Sequence, residues 1–354
     1  MNKIAMITDL HFGARNDSPQ FLDFYEKFYE NVFFPKLKEE GINSVFILGD
    51  VFDRRKYINF NSLKRSKDMF FKKLWEKHIN TYIIVGNHDT YFKNTNDINS
   101  LNLLLGEYDN IAVFDKPVTI NLRGVDICVI PWICTDNYQS ALDEINTSKA
   151  SICMGHFEIA GFQLYRGHPC EEGLSRDIFR RYSYTFSGHY HHKSSADDIH
   201  YLGNPYQLTW QDYGDDRGFH IFDLDDGTLD FYPNPYVIFH KVYYNDKNGD
   251  IPEVKDEYKD SFVKVVVVNK NNPYKFDKFI NDLNAINPLD LSIIEDYSVL
   301  SEGIDDDIID QAEDTLSILN KYVENVNKDD IDVNRLKTIF RELYIEALNS
   351  NDSI

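Results

Sequence analysis

Tyr82-Ile83-Ile84-Val85-Gly86-Asn87-His88-Asp89 is an apolar run stopped by a glycine and followed by an amide, an imidazole and a carboxylate. The β-branched and aromatic residues predict a short buried strand, and the glycine predicts a turn at its tip. Strand tips that deliver polar groups into a loop are where α/β sheets commonly build sites. Four other stretches repeat the pattern. Lys3–Thr8 runs into Asp9-Leu10-His11, and Val45–Leu48 into Gly49-Asp50-Val51-Phe52-Asp53. Ile152–Met154 runs into Gly155-His156-Phe157-Glu158, and Tyr184–Ser187 into Gly188-His189-Tyr190-His191.

Between the first three stretches lie helical patterns. Ser18-Pro19 offers an N-cap with proline at the first helical position, ahead of Phe21, Phe24, Tyr25, Phe28 and Val32. Leu63, Phe70, Phe71 and Leu74 follow at similar spacing. Strand-helix-strand-helix order favours an α/β domain. Beyond Ile111 short strands dominate: 118–122, 125–130, 152–154, 184–187, 199–202, 218–223 and 228–232. A mixed double β-sheet flanked by helices accommodates both halves. A boundary is expected near Tyr232-Pro233-Asn234-Pro235, giving a first domain over 1–240. Residues 241–300 read as a small α/β capping unit. Residues 301–354 read as an acidic linker with two amphipathic helices, built on Ile308, Ala312, Leu316, Leu319 and Val323 and on Val333, Leu336, Phe340, Leu343 and Ala347.

The 354 residues carry a formal charge of −21. That argues against an autonomous nucleic-acid binder with a basic face, but not against an enzyme whose bound cations supply positive charge locally. The four cysteines fall at irregular spacings, so neither a zinc motif nor a redox pair is expected, and they read as ordinary thiols. No basic-then-apolar leader opens the chain and no apolar run reaches the ~18 residues that span a bilayer. A cytoplasmic protein with no membrane contact is the expectation.

Taken singly, each polar residue has an ordinary explanation: Gly-Asp is usually a turn, and a lone histidine is usually a satisfied core group. Together, Asp9, His11, Asp50, Asn87, His156, His189 and His191 offer carboxylate, imidazole and amide ligands without a thiolate. That set suits hard-to-borderline divalent metals and not a structural zinc site. It holds enough ligands for two ions if one carboxylate bridges, the arrangement that phosphoryl transfer exploits. On an extended segment residues i and i+2 face the same way, so Asp9 and His11 are expected to share an ion and His189 and His191 a cavity. His192 is then expected to point the other way, with a weaker claim to substrate. His78, His168, His200, His220 and His240 lie outside this context.

The ordered motifs resemble those of the calcineurin-like metallophosphoesterases. Within that superfamily the chain is most similar to the SbcD-type DNA repair nucleases, its phage recombination branch above all. Tyr201-Leu202-Gly203-Asn204-Pro205 and Arg217-Gly218-Phe219 strengthen the likeness, which is strong over about the first 240 residues. The resemblance implies two facing β-sheets with helices outside, two ions with manganese as the metal, DNA as substrate, an SbcC-like coiled-coil ATPase as partner, and a homodimer. It implies one ion on Asp9, His11, Asp50 and His191, and the other on Asp50, Asn87, His156 and His189. His88 would stay free of metal and act on the phosphate or the leaving oxygen. Asp53 stands where many nuclease relatives have histidine, and reads as a group behind the ligands. Arg54 is a weaker candidate for a phosphate contact. The rival readings are a phosphomonoesterase or cyclic-nucleotide phosphodiesterase of the same superfamily, and a non-catalytic subunit that only holds a DNA end.

Overall fold

The computed structural model describes residues 2–165, 168–247 and 251–294. Two compact units emerge. Among the described residues, the first comprises 2–208, Asp212–His240 and Asp260–Phe262; the second takes Thr209–Gln211, Lys241–Lys259 and 263–294. The expected C-terminal helices over 301–354 lie outside the described residues.

The first unit is built on two six-stranded sheets. Strands β1 (Lys3–Ile7), β2 (Ser44–Ile47), β3 (Asn80–Ile84) and β4 (Ile111–Phe114) run parallel as neighbours. Strand β5 (Val118–Leu122) pairs antiparallel with β6 (Val125–Ile130) in the second sheet. There β6, β7 (Ile152–His156), β8 (Tyr184–Gly188) and β9 (Ile199–Tyr201) are parallel neighbours. Strands β10 (Gly218–Asp223) and β11 (Leu229–Pro233) return to extend the first sheet antiparallel beside β1. The mixed double sheet expected from the element order is therefore present. Its interior joins Ile4, Met6, Phe46, Leu48 and Ile84 of one sheet to Ile127, Val129, Ile152, Met154 and Phe186 of the other.

Helices cover the outer faces. Helix α1 (Pro19–Phe28) starts with proline as expected, but Ser18 Oγ bonds the Gln20 side chain and not the helix backbone. It runs on through a wide π turn at Tyr29–Phe33 into Phe34–Glu39. The extra residue rotates the apolar stripe, so Phe33, Phe34 and Leu37 are buried where simple periodicity puts Val32. Helix α2 (Phe60–Ser66) has a matching π turn at Lys67–Phe71. The two turns meet through aromatic rings, Tyr29 to Phe70 at 4.6 Å and Phe33 to Phe70 at 5.7 Å. π turns of this kind often accompany functional sites. Here Tyr206 stacks on Tyr25 at 3.7 Å and donates its hydroxyl to the Leu10 carbonyl, between Asp9 and His11. Helix α3 (Tyr138–Thr147) was not anticipated. Only Ala141 and Ile145 are buried in it, too sparse a stripe to read from sequence.

The second unit has its own core. Strands β12 (Phe239–Asn245), β13 (Phe262–Asn269) and β14 (Asp290–Ile294) form a three-stranded sheet, with helix α4 (Pro273–Ala285) between the last two in sequence. Val242, Tyr244, Val263, Val265, Phe276, Phe279 and Leu283 pack together. Asn272 caps α4 by accepting from Lys275 N, ahead of Pro273 at the first position, as helix starts favour.

Phe46 is fully buried between the sheets. Phe46→Ala should lower the unfolding free energy by about 3–5 kcal/mol, read as an earlier denaturant midpoint with an unchanged slope.

Candidate metal centre

Because β1, β2 and β3 are parallel in one sheet and β7 and β8 in the other, their C-terminal tips each project one motif. The two sets of tips are tied together directly. His156 Nδ1 donates to the Leu48 carbonyl at 2.7 Å, and the His189 amide donates to Asp9 at 3.1–3.2 Å. Gly49 has φ +101°, and a Cβ there would meet His156 Nδ1 at 2.3 Å. A Cβ on Gly86 would meet Asp50 Oδ1 at 2.2 Å. Only glycine lets the two motifs approach so closely.

The polar groups gather into two clusters. Asp9, His11 and His191 form one, and Asp50, His156 and His189 the other; within each, the ligand atoms lie within 4.8 Å of one another. Asp50 Oδ2 is 3.3 Å from His156 Nε2 and 3.9 Å from His11 Nε2, so it stands between them. Asn87 Oδ1 closes the second cluster, 2.9 Å from His156 Nε2 and 3.0 Å from His189 Nδ1. All seven expected ligand residues are thus brought together. The extended-backbone argument for them does not hold, however. Asp9, His11, Asp50 and His189 have φ of 53°, 42°, 53° and 84°, in the left-handed region. His189 and His191 consequently serve different clusters.

The remaining candidates flank the pair. His88 is half-buried; its amide donates to Asp50 Oδ1 at 2.8 Å and its Nδ1 lies 2.5 Å from the Asp53 carbonyl. Asp53 Oδ1 sits 3.4 Å from His11 Nδ1. Arg54 is engaged elsewhere, bonding Asp17 at 3.1 Å and Asn16 at 2.7 Å. His192 belongs to neither cluster, its Nδ1 bonding Asp215 at 2.7 Å.

Two residues with no assigned role prove structural to the site. The Asp89 carboxylate is fully buried and accepts from the amides of Gly86, Asp50, Val51 and Phe52. It locks the second and third motifs in register. Its position directly behind a strand-turn His was the available signal, since short carboxylates there often bond nearby amides. The Trp132 ring lies 5.1 Å from His189 and 6.1 Å from His156; nothing in the motif pattern marked it.

Asp9, His11, Asp50 and His156 are at most 3% exposed. Burial opposes every charge in this space. It raises the Asp9 carboxyl, with Asp50 adding to the rise. Asp50 goes the other way: burial would raise it, but His156, His88 and His11 hold it well below the ordinary range. Burial would lower His11 and His156, yet the surrounding carboxylates outweigh it and push both up to about 9. Burial, reinforced by His156, drops His189 to about 3, and burial together with His11 and Arg217 lowers His191. The clusters fit divalent cations on chemical grounds. His11 Nε2 and His191 Nε2 face each other at 3.1 Å, and two lone pairs so placed need a proton or a metal between them. The donors are all nitrogen and oxygen.

The signs give a test. A raised histidine stabilises the fold fully below its ordinary pKa and loses that contribution as pH climbs through the raised value. For His11 and His156 the loss runs from about 6.5 to about 9. The lowered His189 and His191 act oppositely, costing stability as pH falls below about 6.5. Metal-free protein should melt lower as pH climbs from about 6.5 to about 9; below 6.5 the raised Asp9 and Asp89 carboxyls oppose the lowered histidines. Divalent metal should flatten the alkaline limb and release protons on binding, measured by calorimetry in buffers of different ionisation enthalpy. A melt that rises between pH 7 and 9 without metal contradicts this account.

The chain is similar to several known proteins. The calcineurin-like phosphoesterase profile matches residues 2–193. Exonuclease subunit 1 of Enterobacteria phage T4 is 33% identical over 358 residues, covering 98% of this chain and 99% of that protein. An archaeal phosphodiesterase structure aligns with 12% identity over 66% of this chain and 99% of its own, at a TM-score of 0.33. A hypothetical protein from Thermus thermophilus aligns with 12% identity over 66% of this chain and 100% of its own, at a TM-score of 0.37. The assignment rests on the profile and the phage relative: the chain belongs to the calcineurin-like phosphoesterase family.

Proposed function

We propose that the protein is a two-metal DNA phosphodiesterase, acting as the nuclease subunit of a complex with an SbcC-like ATPase. The observation that carries this reading is the pair of ligand clusters astride Asp50. In our reading Asp9, His11, Asp50 and His191 hold one ion, and Asp50, Asn87, His156 and His189 the other. The family resemblance implies Mn2+, which the all-N/O donor set admits along with iron and zinc. Two such ions would acidify a water and neutralise charge on the phosphoryl oxygens.

The chain's own groups do the rest. Leu48 fixes His156 by its Nδ1, leaving Nε2 for the cavity, as carbonyls behind metal-binding histidines generally do, and the Asp53 carboxylate lies 3.4 Å from His11 Nδ1. His88 Nδ1 donates to the Asp53 carbonyl, so Nε2 is the nitrogen free to hold a proton. Its amide bond to Asp50 keeps the ring beside the bridging carboxylate. His88 therefore meets the phosphate or protonates the leaving oxygen.

The charge of −21 supports a partner, because phosphate contacts dominate DNA affinity and here 58 acidic residues outnumber 37 basic ones. The word "subunit" in the relative's name points the same way. The second unit would act as a cap, and the helical patterns beyond Ile308 would dock the ATPase in helix-in-groove fashion.

With Mn2+ the purified protein should release nucleotides from duplex DNA, and the ATPase partner should increase the rate. Turnover of small phosphomonoesters alone would favour the rival reading. His88→Ala should lower kcat by about 10²–10⁴-fold while both ions still bind; undiminished cleavage would remove His88 from the chemistry. Deleting 308–354 should abolish co-purification with the ATPase and spare the first unit's melt.

A further inference from the structure

We propose that Arg217 is a positioning residue that sets the His191 ligand of the first ion. The inference rests on the two-metal reading above. Metal-binding histidines are usually oriented through their second ring nitrogen, as His156 is by Leu48. For His191 the bonds fall on the backbone instead. Its carbonyl accepts from Arg217 Nη1 and from the Asn204 amide at 3.3 Å. Arg217 Nη1 also donates to Asn204 Oδ1, which makes a closed three-residue knot beneath the loop.

The other arm of the guanidinium is anchored. Nη2 donates to Asp212 at 2.9 Å and to Asp215 at 3.0 Å. Asp215 in turn accepts from His192 Nδ1 at 2.7 Å, so the residue after His191 is tethered to the same fork. Asp212 is itself fixed by the Leu208 amide at 2.6 Å. Arg217 is 5% exposed, Asn204 1% and Asp212 3%. Gly203 has φ +70°, and a Cβ there would come within 2.9 Å of the His191 carbonyl. The Gly203-Asn204 and Arg217 segments thus clamp the loop at one point, the backbone of His191. A planar five-donor fork can span a carbonyl, an amide oxygen and two carboxylates at once; an ammonium cannot.

The other cluster uses none of these bonds, so the effect should be confined to one ion. Mn2+ titration followed by electron paramagnetic resonance reads this directly. Wild type should take up two ions with a spin-coupled spectrum; a wild type that binds none overturns the two-metal reading itself. Arg217→Met should bind one ion normally and the other about 10–100-fold more weakly, with an isolated six-line spectrum replacing the coupled one. Two coupled ions at wild-type affinity in folded Arg217→Met would overturn the proposal. Should Arg217→Met lack native circular dichroism, Asn204→Ala decides on the same readout: selective loss of one ion supports the clamp, and unchanged two-ion binding refutes it.

Discussion

The first unit depends on an electrostatic constraint at its centre. Asp9, Asp50 and Asp89 are buried within one cleft, none more than 2% exposed. Carboxylates in so little water repel one another and resist ionisation. The fold relieves this in three separate ways. Asp89 is surrounded by four backbone amides, yet burial and the nearby Asp50 still leave it raised to about 7. Asp9 accepts from Thr8 and from the His189 amide across the sheet boundary. Asp50 draws on the imidazoles of His156, His88 and His11. Protons on His11 and His156 balance the cleft when it holds no metal. A divalent ion in each cluster would replace those protons and leave both rings neutral, which is the form that ligates.

Backbone strain sits in the same place. Asp9, His11, Asp50 and His189 all adopt left-handed φ, which costs about 1–2 kcal/mol for each residue with a side chain. Such outliers persist only where the surroundings over-determine them. Here Tyr206 grips Leu10, Asp89 grips the amides from Asp50 to Phe52, and Gly49 and Gly86 remove the obstruction between them. The aromatic packing of the helices, including the two π turns, serves this purpose through Tyr29, whose hydroxyl lies 3.2 Å from that of Tyr206.

That division explains what the sequence made legible. The five motifs were readable because each tip changes chemistry abruptly, from apolar strand to Gly or Asp and then to a ligand. Convergence followed from parallel order, which strand-helix alternation signals locally. The extended-strand reason for pairing Asp9 with His11 failed because both take left-handed φ; Asp and His are among the non-glycine residues enriched there, but the preference is too weak to mark a given position. The π turns were hidden for a similar reason: one inserted residue moves burial from Val32 to Phe33, and both are apolar. Asp89 offered a local signal behind His88, whereas Trp132 and Arg217 act through atoms that meet only after distant segments fold together.

The candidate ligands are held in two different ways. His156 is fixed by a single acceptor on a neighbouring tip, the Leu48 carbonyl, within the motif scaffold itself, and Asp53 faces His11 Nδ1 at 3.4 Å. His191 lies on a partly exposed tip, its side chain 33% accessible. A ligand there cannot rely on packing alone for orientation. The burden moves to polar bonds made by the segments that follow, from Tyr201 to Phe219, which lie outside the five motifs. In this reading the candidate ligands sit on the motif tips, while the placing of His191 is delegated to residues of later segments.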